Sequence, residues 1–247
     1  MRFVSFAFPH PRVLRILSAG AVGILAVASA SPSWGRTACG APASTLFVER
    51  FISAECLACW RANPPMPAAP AGDAGPAVVL DWIVPGRDDA PLGAASIEEA
   101  GTRAAEFGSL RADETLTQTA PLPGRSALRV AVDSGPALNG YIGVRMRVGY
   151  DGGRPLPGGL VGYLALVERL APGSEGSPVL RQVVRTVAGP LPLDGLYAGA
   201  PVEHLRAVRV PQTGNPERLE AVGWVETRPG RALAVGVERE ADCPPGT

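Results

Sequence analysis

The chain has 247 residues, is 46% hydrophobic and carries 23 basic and 23 acidic residues, a balance that offers no global attraction to nucleic acid or an anionic membrane surface. Every basic residue is arginine, which excludes Schiff-base chemistry and a phosphate-loop lysine. The length suits one large or two small domains with ample core, and 30 glycines with 26 prolines predict many turns.

At the N-terminus, Arg2, His10, Arg12 and Arg15 precede the apolar run ILSAGAVGILAVASA, residues 16–30. Its length is that of a signal-peptide core, and Ala28 and Ala30 flank Ser29 in an Ala-x-Ala arrangement. Residues 1–30 therefore read as a signal peptide cleaved after Ala30. For an uncleaved span of roughly 20 residues the run is short and contains glycine. The mature protein is expected in the periplasm or secreted, without membrane association after cleavage, where disulfides persist.

Export changes how the four cysteines, Cys39, Cys56, Cys59 and Cys243, are read. They permit three complete pairings. A Cys39–Cys243 bridge would join the ends of the mature chain and leave Cys56 with Cys59. By the loop-entropy model such a closure stabilises by roughly 5 kcal/mol. Two reduced terminal cysteines are the alternative.

TLFVERFI, 45–52, reads as a strand, and Cys56-Leu57-Ala58-Cys59 follows at its end, as a strand-to-helix turn would place it. NPPMPAAPAGDAGP, 63–76, carries too many prolines and glycines to continue a helix beyond about two turns. AVVLDWIV, 77–84, is a continuous apolar run of the kind buried on both faces. SIEEAGTRAAEF, 96–107, is the best helix pattern, with Ser96 and Glu99 at capping-box spacing. LRADETLTQTAPLPGR, 110–125, is mixed and ends in a turn.

From residue 126 the period changes to two. ALRVAV, YIGVRMRV, GYLALVER, VLRQVVRTV, EHLRAVRV, LEAVGWVE and RALAVGVE read as seven strands between Gly/Pro turns. The expected organisation is a small αβ unit over 40–125 followed by an antiparallel, sandwich-like all-β unit over 126–243, an α+β fold class.

Histidine is scarce. His10 leaves with the signal peptide, and His204 lies in a strand-like run beside Glu203, where an exposed or hydrogen-bonded role is the ordinary one. Zinc and copper sites need several His or Cys ligands, so the sequence implies no metal. No phosphate loop or dinucleotide fingerprint is present, and no cofactor is expected. Asp88-Asp89 and Glu98-Glu99 read as solvated charge and helix capping.

The cysteine pair remains. A helix N-terminus offers unpaired N–H groups and partial positive charge to the first cysteine, lowering its pKa. On this reading Cys56 is the attacking thiol and Cys59, three residues on, resolves the mixed disulfide. Glu55 opposes thiolate formation, and Pro64 and Pro65 cut the helix short. Those neighbours favour a plain structural disulfide, whereas the spacing favours exchange.

TLFVERFISAECLACW followed by Pro-Pro, and then AVVLDWIV with Asp81-Trp82, resembles an exported bacterial thioredoxin-like family catalogued as domain of unknown function 1223. LVERLAPGSEGSPVLRQVVRTVAGPL, 166–191, is similar to the β segment of that family's C-terminal half. The resemblance implies a thioredoxin-like αβ unit with a redox site, and no assigned reaction. It also implies a cis-proline facing the cysteines, for which the nearest match is Pro121 in TAPLPGR. The family's Pro-Pro follows its second cysteine directly; here Trp60 to Asn63 intervene.

The sequence thus supports an exported thioredoxin-like protein with a thiol–disulfide site at Cys56 and Cys59, acting on a protein thiol or disulfide partner. The alternative is a non-catalytic periplasmic binding or scaffold protein in which Cys56–Cys59 is a structural disulfide.

Overall fold

Alternation and apolar runs place ten strands among the described residues. In order they are β1 (Leu46–Ser53), β2 (Ala77–Val84), β3 (Thr115–Pro121), β4 (Leu128–Ser134), β5 (Tyr141–Tyr150), β6 (Val161–Leu170), β7 (Arg181–Pro192), β8 (Val202–Arg209), β9 (Leu219–Glu226) and β10 (Ala232–Val237). Helix α1 (Leu57–Arg61) lies between β1 and β2, and α2 (Glu98–Ala105) between β2 and β3. The computed structural model describes residues 46–62, 77–123, 126–153, 155–211 and 214–238. The expected signal peptide, Cys39 and Cys243 lie outside the described residues.

Seven strands form one sheet in the order β10-β9-β6-β7-β2-β1-β3, and β4-β5-β8 form a second. Within the large sheet β1, β2 and β7 run parallel, and the remaining neighbours are antiparallel. β1 lies one strand in from the β3 edge, and all eight of its residues are buried. Such a strand reads as continuous rather than alternating hydrophobicity.

The large sheet curls. Four strand spacings separate β1 from β9, about 19 Å in a flat sheet. Yet Phe47 on β1 lies 5.4 Å from Trp224 on β9, ring centroid to centroid, and Trp82 on β2 meets Trp224 edge-on at 6.3 Å. The concave side is therefore an interior, filled by Phe47, Phe51, Leu80, Trp82, Val167, Val222 and Trp224. Helix α2 packs its Ala100 and Ala104 into this core, and Arg103 from the same helix reaches inside.

On the convex side, β6 and β9 pack against the second sheet through Leu164, Leu166, Ala221, Val225, Val144, Met146 and Val148. Toward β1, β2 and β7 the convex side is covered by Trp60 of α1, against Ile52, Ile83 and Val183.

This architecture corrects the expected fold class. The protein is mostly β, and no thioredoxin-like αβ unit precedes a separate sandwich. A thioredoxin-like unit needs helices over both faces of its sheet. Here α1 has five residues and α2 eight, and strands supply most of the cover. The segments read as strands are strands, but β6, β7, β9 and β10 join β1, β2 and β3 in one sheet. The stretch 110–125, read as mixed, contains the edge strand β3.

The capping box is also corrected. Ile97 is the N-cap of α2 with no side-chain cap bond, and Ser96 Oγ donates instead to the carbonyl of Gly93 at 2.8 Å.

Candidate functional site

β1 ends at Ser53, and a tight turn carries the chain to Cys56, whose N–H donates to the Ser53 carbonyl at 2.9 Å. Cys56 is the N-cap of α1, and Cys56 and Cys59 form a disulfide with a Cα separation of 5.2 Å. The two sulfurs differ in surroundings. Cys56 is buried at 6% exposure, whereas Cys59 is only partly buried. The Cys59 N–H donates to Cys56 Sγ at 3.1 Å, and the Asp113 carbonyl oxygen lies 3.5 Å from Cys59 Sγ. An N–H favours charge on the sulfur it meets, and a carbonyl oxygen disfavours it.

Glu55, the neighbour expected to oppose a thiolate, turns toward the loop after β2. Its Oε1 accepts from the Arg87 N–H at 3.0 Å and pairs with Arg87 Nε at 3.3 Å. Gly86 leaves room for this: a Cβ there would lie 2.8 Å from Glu55 Cγ.

The base under α1 is ionic. Arg50 clasps Asp81 through Nε at 2.8 Å and Nη2 at 3.0 Å. Arg181 Nη1 reaches the same carboxylate at 3.2 Å, and the Gln182 N–H donates to Asp81 Oδ2 at 3.2 Å. Arg181 Nη2 then donates to the carbonyls of Trp60 at 2.7 Å and Ala62 at 3.2 Å, satisfying the open C-terminal end of α1. Its guanidinium also lies 5.0 Å from the Trp60 ring centroid. Burial pushes the Arg181 pKa below the usual arginine value, against the pull of the Asp81 charge. Trp60 is fixed from the other side, where its Nε1 donates to the Glu175 carbonyl at 2.7 Å. Glu175 holds a left-handed φ of 49°, uncommon outside glycine.

A second ionic group lies inside the curl. Arg103 forms paired bonds to Glu49 and Glu226 at 2.8–3.0 Å, and a further bond to Glu106 at 3.0 Å. Burial raises the Glu49 pKa, and its bonds to Arg103 only partly offset that.

The other sequence candidates fall elsewhere. Pro121 pairs with Leu46 at the start of β1, whereas the cysteines follow Ser53 at its end. The intervening length of strand is about 23 Å. The structure thus does not bring Pro121 to the disulfide. Among the described residues the cis peptide bond is Gly189–Pro190. His204 lies on β8, with Nε2 2.8 Å from the Pro192 carbonyl oxygen. Among the described residues no group of three or more His, Cys, Asp or Glu could hold a metal ion, and no helix is long and apolar enough to cross a membrane.

Sequence reasoning missed Arg50, Arg181, Trp60 and Arg103. A signal existed for the first two. Glu49-Arg50 and Asp81 interrupt apolar runs, and a charge inside a fully buried strand demands a partner.

No protein-family model matches the chain, and no curated protein matches it. Among solved structures it is similar to HBP35 of Porphyromonas gingivalis, with a TM-score of 0.51 and 10% identity, over 85% of this chain and 79% of that one. At that identity the likeness bears on fold alone.

Proposed function

We propose that the Cys56–Cys59 disulfide takes part in thiol–disulfide exchange with a protein partner, with Cys59 as the sulfur attacked. The observation that carries this is the asymmetry of the pair: the accessible sulfur faces a carbonyl, and the buried one receives an N–H. An incoming thiolate bonds to Cys59 Sγ, the Cys56–Cys59 bond breaks, and its electron pair leaves on Cys56. The Cys59 N–H is already in position to stabilise that thiolate. A second thiolate of the partner then attacks the partner's own sulfur in the mixed disulfide, releasing Cys59 as a thiolate. The partner dithiol is oxidised and the Cys56–Cys59 pair is reduced. These roles reverse the sequence-based order, in which Cys56 attacks, because Cys56 is the buried sulfur. The apolar run 16–30 supports export to a compartment where such a pair is kept oxidised.

A second reading is favoured by the burial of Cys56 and the clamp of Arg181 and Glu175 on α1. In it the disulfide is a fixed structural staple of a binding or scaffold protein. The reduction potential separates the two. Exchange requires a value between about −120 and −270 mV, and a value below about −300 mV overturns it in favour of the staple.

A further inference from the structure

The curled sheet does not close. Its edges are β3 and β10, and among the described residues neither has a hydrogen-bonded strand on its outer side. Following the pair directions round the sheet, β3 and β10 both run antiparallel to β1, so they run parallel to each other. Between them is a cleft of about 860 Å³, lined on one side by Gln118, Ala120 and Leu122 and on the other by Gly230, Ala232 and Leu233. At one end the cleft is pinched: Gly230 has φ +72°, and a Cβ on it would lie 2.8 Å from Gln118 Nε2.

Three features define what fits. The first is number. Seven strands with one open seam are one short of eight, the count at which a barrel interior is just filled by side chains. The second is size. Ala120 and Ala232 are small and buried in the lining of the cleft, whose volume of about 860 Å³ lies outside them and takes side chains from an added strand. The third is charge. Arg228 and Arg231, in the turn joining β9 and β10, are exposed at the mouth of the cleft, and no carboxylate among the described residues pairs with either. The one carboxylate lining the cleft, Glu106, is bound to Arg103 at 3.0 Å.

We propose that this seam binds an extended acidic peptide segment of a partner protein, which adds as an eighth strand antiparallel to both β3 and β10. Its backbone would pair along the two strand edges, its apolar side chains would lie in the cleft over Ala120 and Ala232, and its outward carboxylates would meet Arg228 and Arg231. The proposal is independent of the disulfide, which lies on the convex side of β1.

The test uses the whole protein and a fluorescein-labelled peptide of about ten residues alternating valine and glutamate. Anisotropy should show saturable binding. Replacing every glutamate by lysine, or making the double variant Arg228→Glu with Arg231→Glu, should weaken it about tenfold or more. Amide hydrogen exchange should slow in 115–121 and 232–237 when the peptide is bound. Absence of saturable binding overturns the proposal. So does equal binding of the two peptides, indifference to the double charge reversal, or protection appearing on β4 or β8 instead.

Discussion

Arg181 donates from Nη1 to Asp81 Oδ1 at 3.2 Å across 100 residues of sequence, and both side chains are excluded from solvent. The pair joins β2 to β7, whose register fixes Asp81 opposite Val183. Because Arg181 also holds the last carbonyls of α1, one carboxylate supports both the sheet and the helix bearing the disulfide.

Asp81→Ala should therefore be among the most damaging single changes in the protein. It strands Arg50 and Arg181 without their counter-charge, a loss of about 3–5 kcal/mol. Urea denaturation at neutral pH measures it. Asp81→Asn, which keeps one acceptor, should lose less.

Arg103→Met should cost a similar amount, again about 3–5 kcal/mol, since it leaves Glu49 and Glu226 facing each other unpaired. The loss should shrink as pH is lowered, because the two carboxyls can then become neutral. A variant equally unstable at pH 4.5 and pH 7 would show that packing against Phe107 and Tyr163, not charge, is what Arg103 supplies.

Glu49 sets a pH dependence of its own. Its folded pKa is raised above 4.5 by burial, so between the unfolded and folded values the native state binds more protons. Stability from this group is present below the unfolded pKa and is lost as pH rises through the folded one. Glu49→Gln should lack this decline. Paired denaturation curves for the wild type and the variant at several pH values from 4 upward reveal it as a difference in slope.

In the reduced protein, Cys59 should be alkylated by iodoacetamide at least about tenfold faster than Cys56, following exposure. Cys56→Ser should form a persistent mixed disulfide with glutathione at Cys59, whereas Cys59→Ser should form little at Cys56. Mass spectrometry of peptides spanning 51–61 distinguishes these outcomes. Faster labelling of Cys56 would restore the order expected from the sequence.

Strand positions were legible because burial writes itself locally, as in AVVLDWIV and YIGVRMRV. Strand partners were not, since nothing in the local pattern of VLRQVVRTV says that it lies beside AVVLDWIV rather than within a separate sandwich. The capping box misled because Ser96 has a closer acceptor in the Gly93 carbonyl. Cys56 with Cys59 was one of the pairings the sequence left open, and it is the one present among the described residues. Which sulfur is accessible depends on how α1 sits on Ile52, Ile83 and Val183, a long-range contact with no local signature.

The meeting of Phe47 and Trp82 with Trp224 also orders events during synthesis. When β1, β2 and β3 have been made, Phe51 can already stack on Trp82, but Phe47 and the edge of Trp82 lack Trp224, because β9 lies about a hundred residues further on. The early strands must wait with an apolar face uncovered until the end of the chain arrives, a topology that folds slowly and invites aggregation in the interval. A chain truncated before β9 should accordingly be insoluble, even though every residue around the disulfide would be intact.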